Sequence, residues 1–316
     1  MADLSVKIAG VELKNPVMTA SGTFGSGMEY SDFVDLSRLG AVVTKGVANV
    51  PWPGNPTPRV AEIRSGMMNA IGLQNPGIDV FCKRDIPFLQ KYDTRIIVNV
   101  CGRTTEDYCE VAERLAEEPV DMLEINISCP NVKCGGISFG QDPKAVEQIT
   151  AEIKKHAKQP VIMKLSPNVT DITEIARAAE AGGADALSMI NTLTGMKIDI
   201  NRRTFAIANK TGGVSGPAVH PIAVRMVYQT AQAVKIPIIG MGGGIGRGCS
   251  GTDSGRCISG SGRNRKFPRS DGDTEGDRRH QRIYGTFSCG DCERTDWRGT
   301  LKRTEKKNVF RHILFP

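Results

Sequence analysis

Histidine is scarce in this chain, with four residues among 316, at positions 156, 220, 280 and 312. None closes a β-rich run, so neither a histidine-ligated metal centre nor a Ser-His-Asp hydrolase is expected. No stretch approaches the roughly 20 apolar residues of a membrane span. The N-terminal Met-Ala-Asp-Leu-Ser lacks the basic and apolar segments of a secretory signal, so the reading is a cytoplasmic chain with no membrane role. The nine cysteines follow neither a small-domain disulfide spacing nor an iron–sulfur ligand spacing, and no glycine-rich dinucleotide fingerprint follows a strand. Positive charge is lacking where a nucleic acid would need it. Residues 1–245 hold 25 Lys and Arg against 25 Asp and Glu, and the formal +7 comes wholly from residues 246–316, which hold 16 against 9. A neutral body argues against a nucleic-acid partner.

What the sequence does have is a rhythm. Apolar β-rich runs at 16–20, 41–44, 95–100, 121–127, 160–165, 186–190 and 237–241 alternate with amphipathic stretches at 105–117, 143–158, 170–181 and 221–234. Strands with near-continuous apolar character, each followed by a helix, point to a parallel sheet covered on both faces. Pro143 and Pro221 suit first helical turns, and Thr170 to Glu174 offers capping chemistry. The fold expected is an α/β (β/α)8 TIM barrel whose eighth βα unit is not recognisable in this chain. Two long insertions, 47–90 and 192–218, follow the second and sixth strands. On a barrel such βα loops belong to the catalytic face, and both are expected to wall the site.

The strands end in chemistry. Ser21, Lys45, Asn99, Asn126, Lys164, Asn191 and the glycines after Met241 each follow an apolar run, and Asn126-Ile-Ser-Cys129-Pro adds a thiol. Amides that donate and accept, with two fixed positive charges, suit a planar heterocycle bearing carbonyl and imide edges better than they suit a metal. Gly242 and Gly243 permit close backbone approach to a phosphate.

The stretch Asn126-Ile-Ser-Cys-Pro-Asn-Val-Lys133, with Gly135-Gly136 and Phe139-Gly140, resembles the catalytic loop of the class 1 dihydroorotate dehydrogenases. Asn55-Pro-Thr-Pro-Arg59, Asn69 to Gly77, Ile190-Asn-Thr192, Lys210 to Pro217 and Ile239 to Gly243 extend the resemblance over residues 4–243, toward the 1B subclass. It implies an FMN-binding barrel that oxidises dihydroorotate to orotate in pyrimidine biosynthesis, with Cys129 as general base. Ser21, Lys45, Gly46, Asn99, Asn126, Lys164, Ile190, Gly216, Gly242 and Gly243 would hold FMN. Lys45, Asn69, Ala70, Ile71, Gly72, Leu73, Asn126, Asn191 and Thr192 would hold substrate. It further implies a partner subunit carrying FAD and a 2Fe-2S cluster, a heterotetramer of two chains of each kind, and NAD as final acceptor. The competing expectations are an FMN-dependent reductase of pyrimidines in RNA and a non-catalytic remnant.

The resemblance ends where the composition changes. In the family the glycine pair is followed by a helix, an eighth strand ending in Gly-Thr and a closing helix, whereas here Gly, Ser, Arg and Cys take over without an apolar period. Residues 1–245 therefore read as the barrel, and 246–316 as a basic tail that is unstructured or out of frame. The cysteines at 249, 257, 289 and 292 match no common zinc spacing.

Overall fold

The computed structural model describes residues 4–127, 139–243 and the backbone of 283–285. A two-stranded antiparallel hairpin, β1 (Val6–Ile8) and β2 (Val11–Leu13), opens the chain. A single helical turn, α1 (Ser21–Phe24), precedes β3 (Ala41–Val43), and the antiparallel pair β4 (Val60–Ile63) and β5 (Gly66–Asn69) follows. Short helical segments α2 (Ile78–Val80) and α3 (Ile86–Leu89) lead to β6 (Arg95–Val100). A regular βα alternation then runs α4 (Thr105–Leu115), β7 (Met122–Asn126), α5 (Pro143–His156), β8 (Val161–Lys164), α6 (Ile172–Ala181), β9 (Ala186–Met189). The second insertion holds β10 (Leu193–Met196), the small hairpin β11 (Ile198–Asp199) and β12 (Thr204–Phe205), and β13 (Thr211–Ser215). Then come α7 (His220–Ala233), β14 (Ile238–Gly240) and β15 (Ile283–Gly285).

The main sheet is parallel, in the order β3-β6-β7-β8-β9-β14-β15. Sequence-adjacent strands are neighbours, which is the arrangement of a barrel. Two apolar cores separate its faces. Val42, Val98, Leu123, Met163 and Leu187 point outward into the helix layer. Met18, Ala41, Val43, Ile97, Met122, Ile162, Ala186 and Ile239 point inward, and Ile8 and Leu13 of the first hairpin plug that end. Period-2 alternation with both faces buried explains why the strands read as continuous apolar runs.

The helices start where their caps dictate. Thr104 and Asp107 form a reciprocal capping box at α4, Asp142 caps α5 ahead of Pro143, and Asp171 caps α6 through Thr173 N at 2.8 Å. Each cap pairs an amide that the first helical turn leaves without an intrahelical partner. Tyr108, Val111, Ala112 and Leu115 then bury one face of α4 at helical spacing.

One expectation needs correction. The run at 16–20 forms no strand but a single parallel bridge, Met18 to Ala41. Backbone bonds surround that bridge, from Ala41 N to Val17 O and from Thr19 N to Ala41 O, each at 3.3 Å. At the next rung a side chain takes over: Thr19 Oγ1 accepts from Val43 N (2.8 Å) and donates to Val43 O (3.2 Å). Asn15 Oδ1 takes the Val17 amide at 3.0 Å. At the other edge of the sheet, Ile283–Gly285 pairs in parallel with β14.

Candidate active site

Above the inward apolar layer, two residues further along each strand, the barrel interior turns polar. Alternation that places Ile97, Met122, Ile162 and Ala186 inside also places Asn99, Glu124, Lys164 and Ser188 inside, and all four are buried. Lys164 Nζ donates to Ser21 Oγ and to Glu124 Oε1, each at 3.2 Å. Asn99 Nδ2 donates to the same Glu124 oxygen at 2.6 Å. Asn126 Nδ2 reaches Asn99 Oδ1 at 3.5 Å, and Asn191 Nδ2 donates to Asn126 Oδ1 at 3.2 Å. One chain of contacts thus joins Ser21, Lys164, Glu124, Asn99, Asn126 and Asn191. A buried ammonium is tolerated because a buried carboxylate meets it.

Glu124 is the residue that sequence reasoning missed. The signal was available: in Asp121-Met-Leu-Glu-Ile125 it lies two residues before Asn126, hence on the same strand face, inside an otherwise apolar run.

The two insertions form a second sheet, β10-β13-β5-β4, in which Gly213 pairs with Asn69 and Val214 with Met68. They are joined to the strand ends at two places. A Cβ on Gly46 would lie 3.1 Å from Asn99 Oδ1 and 3.5 Å from Leu73 Cδ2, so Gly46 sits between the rim and the 69–73 loop. Thr192 N donates to Asn191 Oδ1 at 2.8 Å, while Asn168 Nδ2 donates to Thr192 O at 3.0 Å. Residues 69–73 are held by their own neighbours. Ala70 N donates to Arg59 O at 2.7 Å, Asn55 N to Ile71 O at 3.0 Å, and Asn55 Nδ2 to Ala70 O at 3.0 Å. Asn75 braces the loop by donating to Leu73 O and accepting from Ala48 N and Gly77 N. Gly72 has φ +75°, and a Cβ there would meet Asn55 at 2.7 Å.

Ile190, Gly216, Gly242 and Gly243 converge where α7 begins. Gly242 and Gly216 have φ +121° and +115°, and a Cβ on Gly243 (φ +68°) would lie 2.8 Å from Gly216 O. Ile190 Cγ1 would be 3.5 Å from a Cβ on Gly242. Such a cradle, which side chains would fill, lies against the 3-10 turn Pro217–Val219 and the first turn of α7. Backbone amides at a helix start favour a phosphate.

The structure therefore gathers Ser21, Lys45-Gly46, Asn99, Asn126, Lys164, Asn191-Thr192 and the 69–73 loop at the C-terminal end of the strands, with Ile190 and the three glycines beside them. Cys129 lies outside the described residues. Among the described thiols, burial pushes Cys82 up to about 11 and also raises Cys109, so neither is primed for proton transfer near neutrality. FMN fits this donor set: a buried ammonium and amides for the polar edge of the ring, and glycine backbone for the phosphate.

A family model described as dihydroorotate dehydrogenase matches residues 3–253. The dihydroorotate dehydrogenase B (NAD(+)) catalytic subunit of Lachnoclostridium phytofermentans is 75% identical over 239 residues, which cover 76% of this chain and 80% of the relative. The protein of the same name from Alkaliphilus metalliredigens is 66% identical over 241 residues, covering 76% and 80%. That from Geobacter sulfurreducens is 60% identical over 242 residues, covering 76% and 79%. A match of this extent, on a barrel whose strand ends carry the polar layer described above, establishes that the chain belongs to the dihydroorotate dehydrogenase family, among its B-type catalytic subunits.

Proposed function

We propose that this chain oxidises dihydroorotate to orotate in pyrimidine biosynthesis, as the names of its relatives indicate for them. The observation that carries the reading is the continuous polar layer from Ser21 through Lys164, Glu124 and Asn99 to Asn126 and Asn191, lying under the 69–73 loop. FMN, when bound, supplies the acceptor for the hydride leaving C6 of the substrate.

The protein's own part is binding, charge and proton transfer. Cys129 takes the proton from C5, and loss of that proton with the C6 hydride leaves the C5–C6 double bond of orotate. A thiol does this when its charged form is stabilised or its proton is relayed to solvent. Lys164 offers fixed positive charge to a ring that becomes more negative as it is reduced, a preorganised electrostatic role. Asn126, Asn191, Thr192 and Asn69 to Leu73 orient the substrate's ring amides and carboxylate, with Lys45 contributing charge at the edge of β3. Gly216, Gly242 and Gly243 receive the phosphate, and Ser21, Gly46, Asn99 and Ile190 complete the flavin's surroundings. The catalytic subunit works with a partner carrying FAD and a 2Fe-2S cluster, in a two-plus-two heterotetramer that passes electrons to NAD in the cytoplasm. Among the described residues no helix is long and apolar enough to cross a membrane.

Replacing Cys129 by Ala tests the assignment. Flavin content is expected to stay unchanged while dihydroorotate oxidation falls about 10²- to 10⁴-fold, the usual weight of a general base. Turnover within a few-fold of wild type would remove Cys129 from the reaction.

A further inference from the structure

Glu124 holds none of the roles above, yet it is the hub of the layer. Its side chain is 1% exposed, and its Oε1 accepts from both Lys164 Nζ at 3.2 Å and Asn99 Nδ2 at 2.6 Å. Lys164 has Ser21 Oγ as its other described contact, and Asn99 Oδ1 faces Asn126. Because a carboxylate only accepts, it dictates that the amide of Asn99 points its nitrogen toward Glu124 and its oxygen toward Asn126. Because it carries the opposite charge, it also offsets part of the positive field that Lys164 offers the ring. We infer that Glu124 is a positioning residue that sets the orientation of Lys164 and Asn99 and limits how strongly the layer stabilises an anionic flavin.

The inference rests on the flavin reading, and its test separates the two. Sulfite adds through its sulfur lone pair to N5 of oxidised flavin and leaves the ring anionic, so its affinity reports the positive charge nearby. Glu124→Gln keeps size and an acceptor but removes the charge. In the flavin-loaded full chain it is expected to tighten sulfite binding about tenfold or more, since an uncompensated buried charge acts through a low dielectric. It is also expected to move the flavin midpoint potential positive. Sulfite affinity and potential both unchanged would overturn the proposal. The flavin-free protein gives an independent readout. Glu124→Gln is expected to melt below wild type, and the double variant Glu124→Gln with Lys164→Met above the single one, because the stranded ammonium is gone. A double variant melting no higher than the single one would overturn the pairing role. Wild-type protein without flavin would instead overturn the reading of the site.

Discussion

At the scale of single residues, the site depends on backbone that only glycine accommodates and on side chains that must be charged where they are buried. Gly243 combines φ +68° with a Cβ position 2.8 Å from Gly216 O. Gly243→Ala is expected to cost about 1–3 kcal/mol of stability and to weaken FMN binding at least tenfold, read by flavin fluorescence and thermal melting. An alanine variant that binds FMN as wild type would mean that the cradle is not the phosphate site. The thiols give a contrasting expectation. Cys82, pushed up to about 11 by burial and then by Glu118, should resist alkylation at pH 7, and rapid labelling of Cys82 in the native protein, seen by peptide mapping, would contradict that environment. Much at this scale was legible. Lys45, Asn99, Asn126, Lys164 and Asn191 were singled out at the close of apolar runs, and the last four meet in the contact chain of the polar layer. Glu124 went unread although its spacing from Asn126 put it on the same strand face, because a charged residue inside an apolar run reads as an interruption until its bonds to Lys164 and Asn99 are seen.

Elements were legible where periodicity was long and capping explicit. α4, α5, α6 and α7 fall within a few residues of the helices expected from the sequence, and their starts coincide with Thr104, Asp142, Asp171 and Pro221. What escaped were pieces of three residues. β1 and β2 are too short for alternation to show, and the run at 16–20 keeps backbone pairing only around Met18, the hydroxyl of Thr19 taking the Val43 amide. Asp171 makes capping testable by pH. Hydrogen bonds from the side chain and backbone of Thr173, with Arg177 adding attraction, hold its carboxyl below the usual range. A lowered folded pKa stabilises the protein above the ordinary carboxylate value, and that contribution is lost as pH falls through the folded one. Asp171→Ala is therefore expected to lower the urea midpoint at pH 7 and to differ less from wild type as pH falls through the folded value, where the native carboxylate is protonated as well. A deficit of equal size at pH 7 and below the folded value would show that the cap does not act through its charge.

For the whole molecule, the decisive feature is that two insertions 100 or more residues apart in sequence pair as β5 and β13 over one end of the parallel sheet. No local pattern announces such pairing. The sequence showed only that both segments were too long for plain turns, and the structure shows them meeting each other and the strand ends through Gly46, Leu73, Asn168 and Thr192. The floor of the site is the parallel sheet and its roof is insertion. The most direct test is an anaerobic titration of the purified protein with dihydroorotate, followed by the absorbance of oxidised flavin. The wild-type protein is expected to purify yellow and bleach stoichiometrically, and the Cys129→Ala protein to purify yellow and stay so on the same timescale. A colourless wild-type protein, or a yellow one that dihydroorotate does not bleach, would contradict the account.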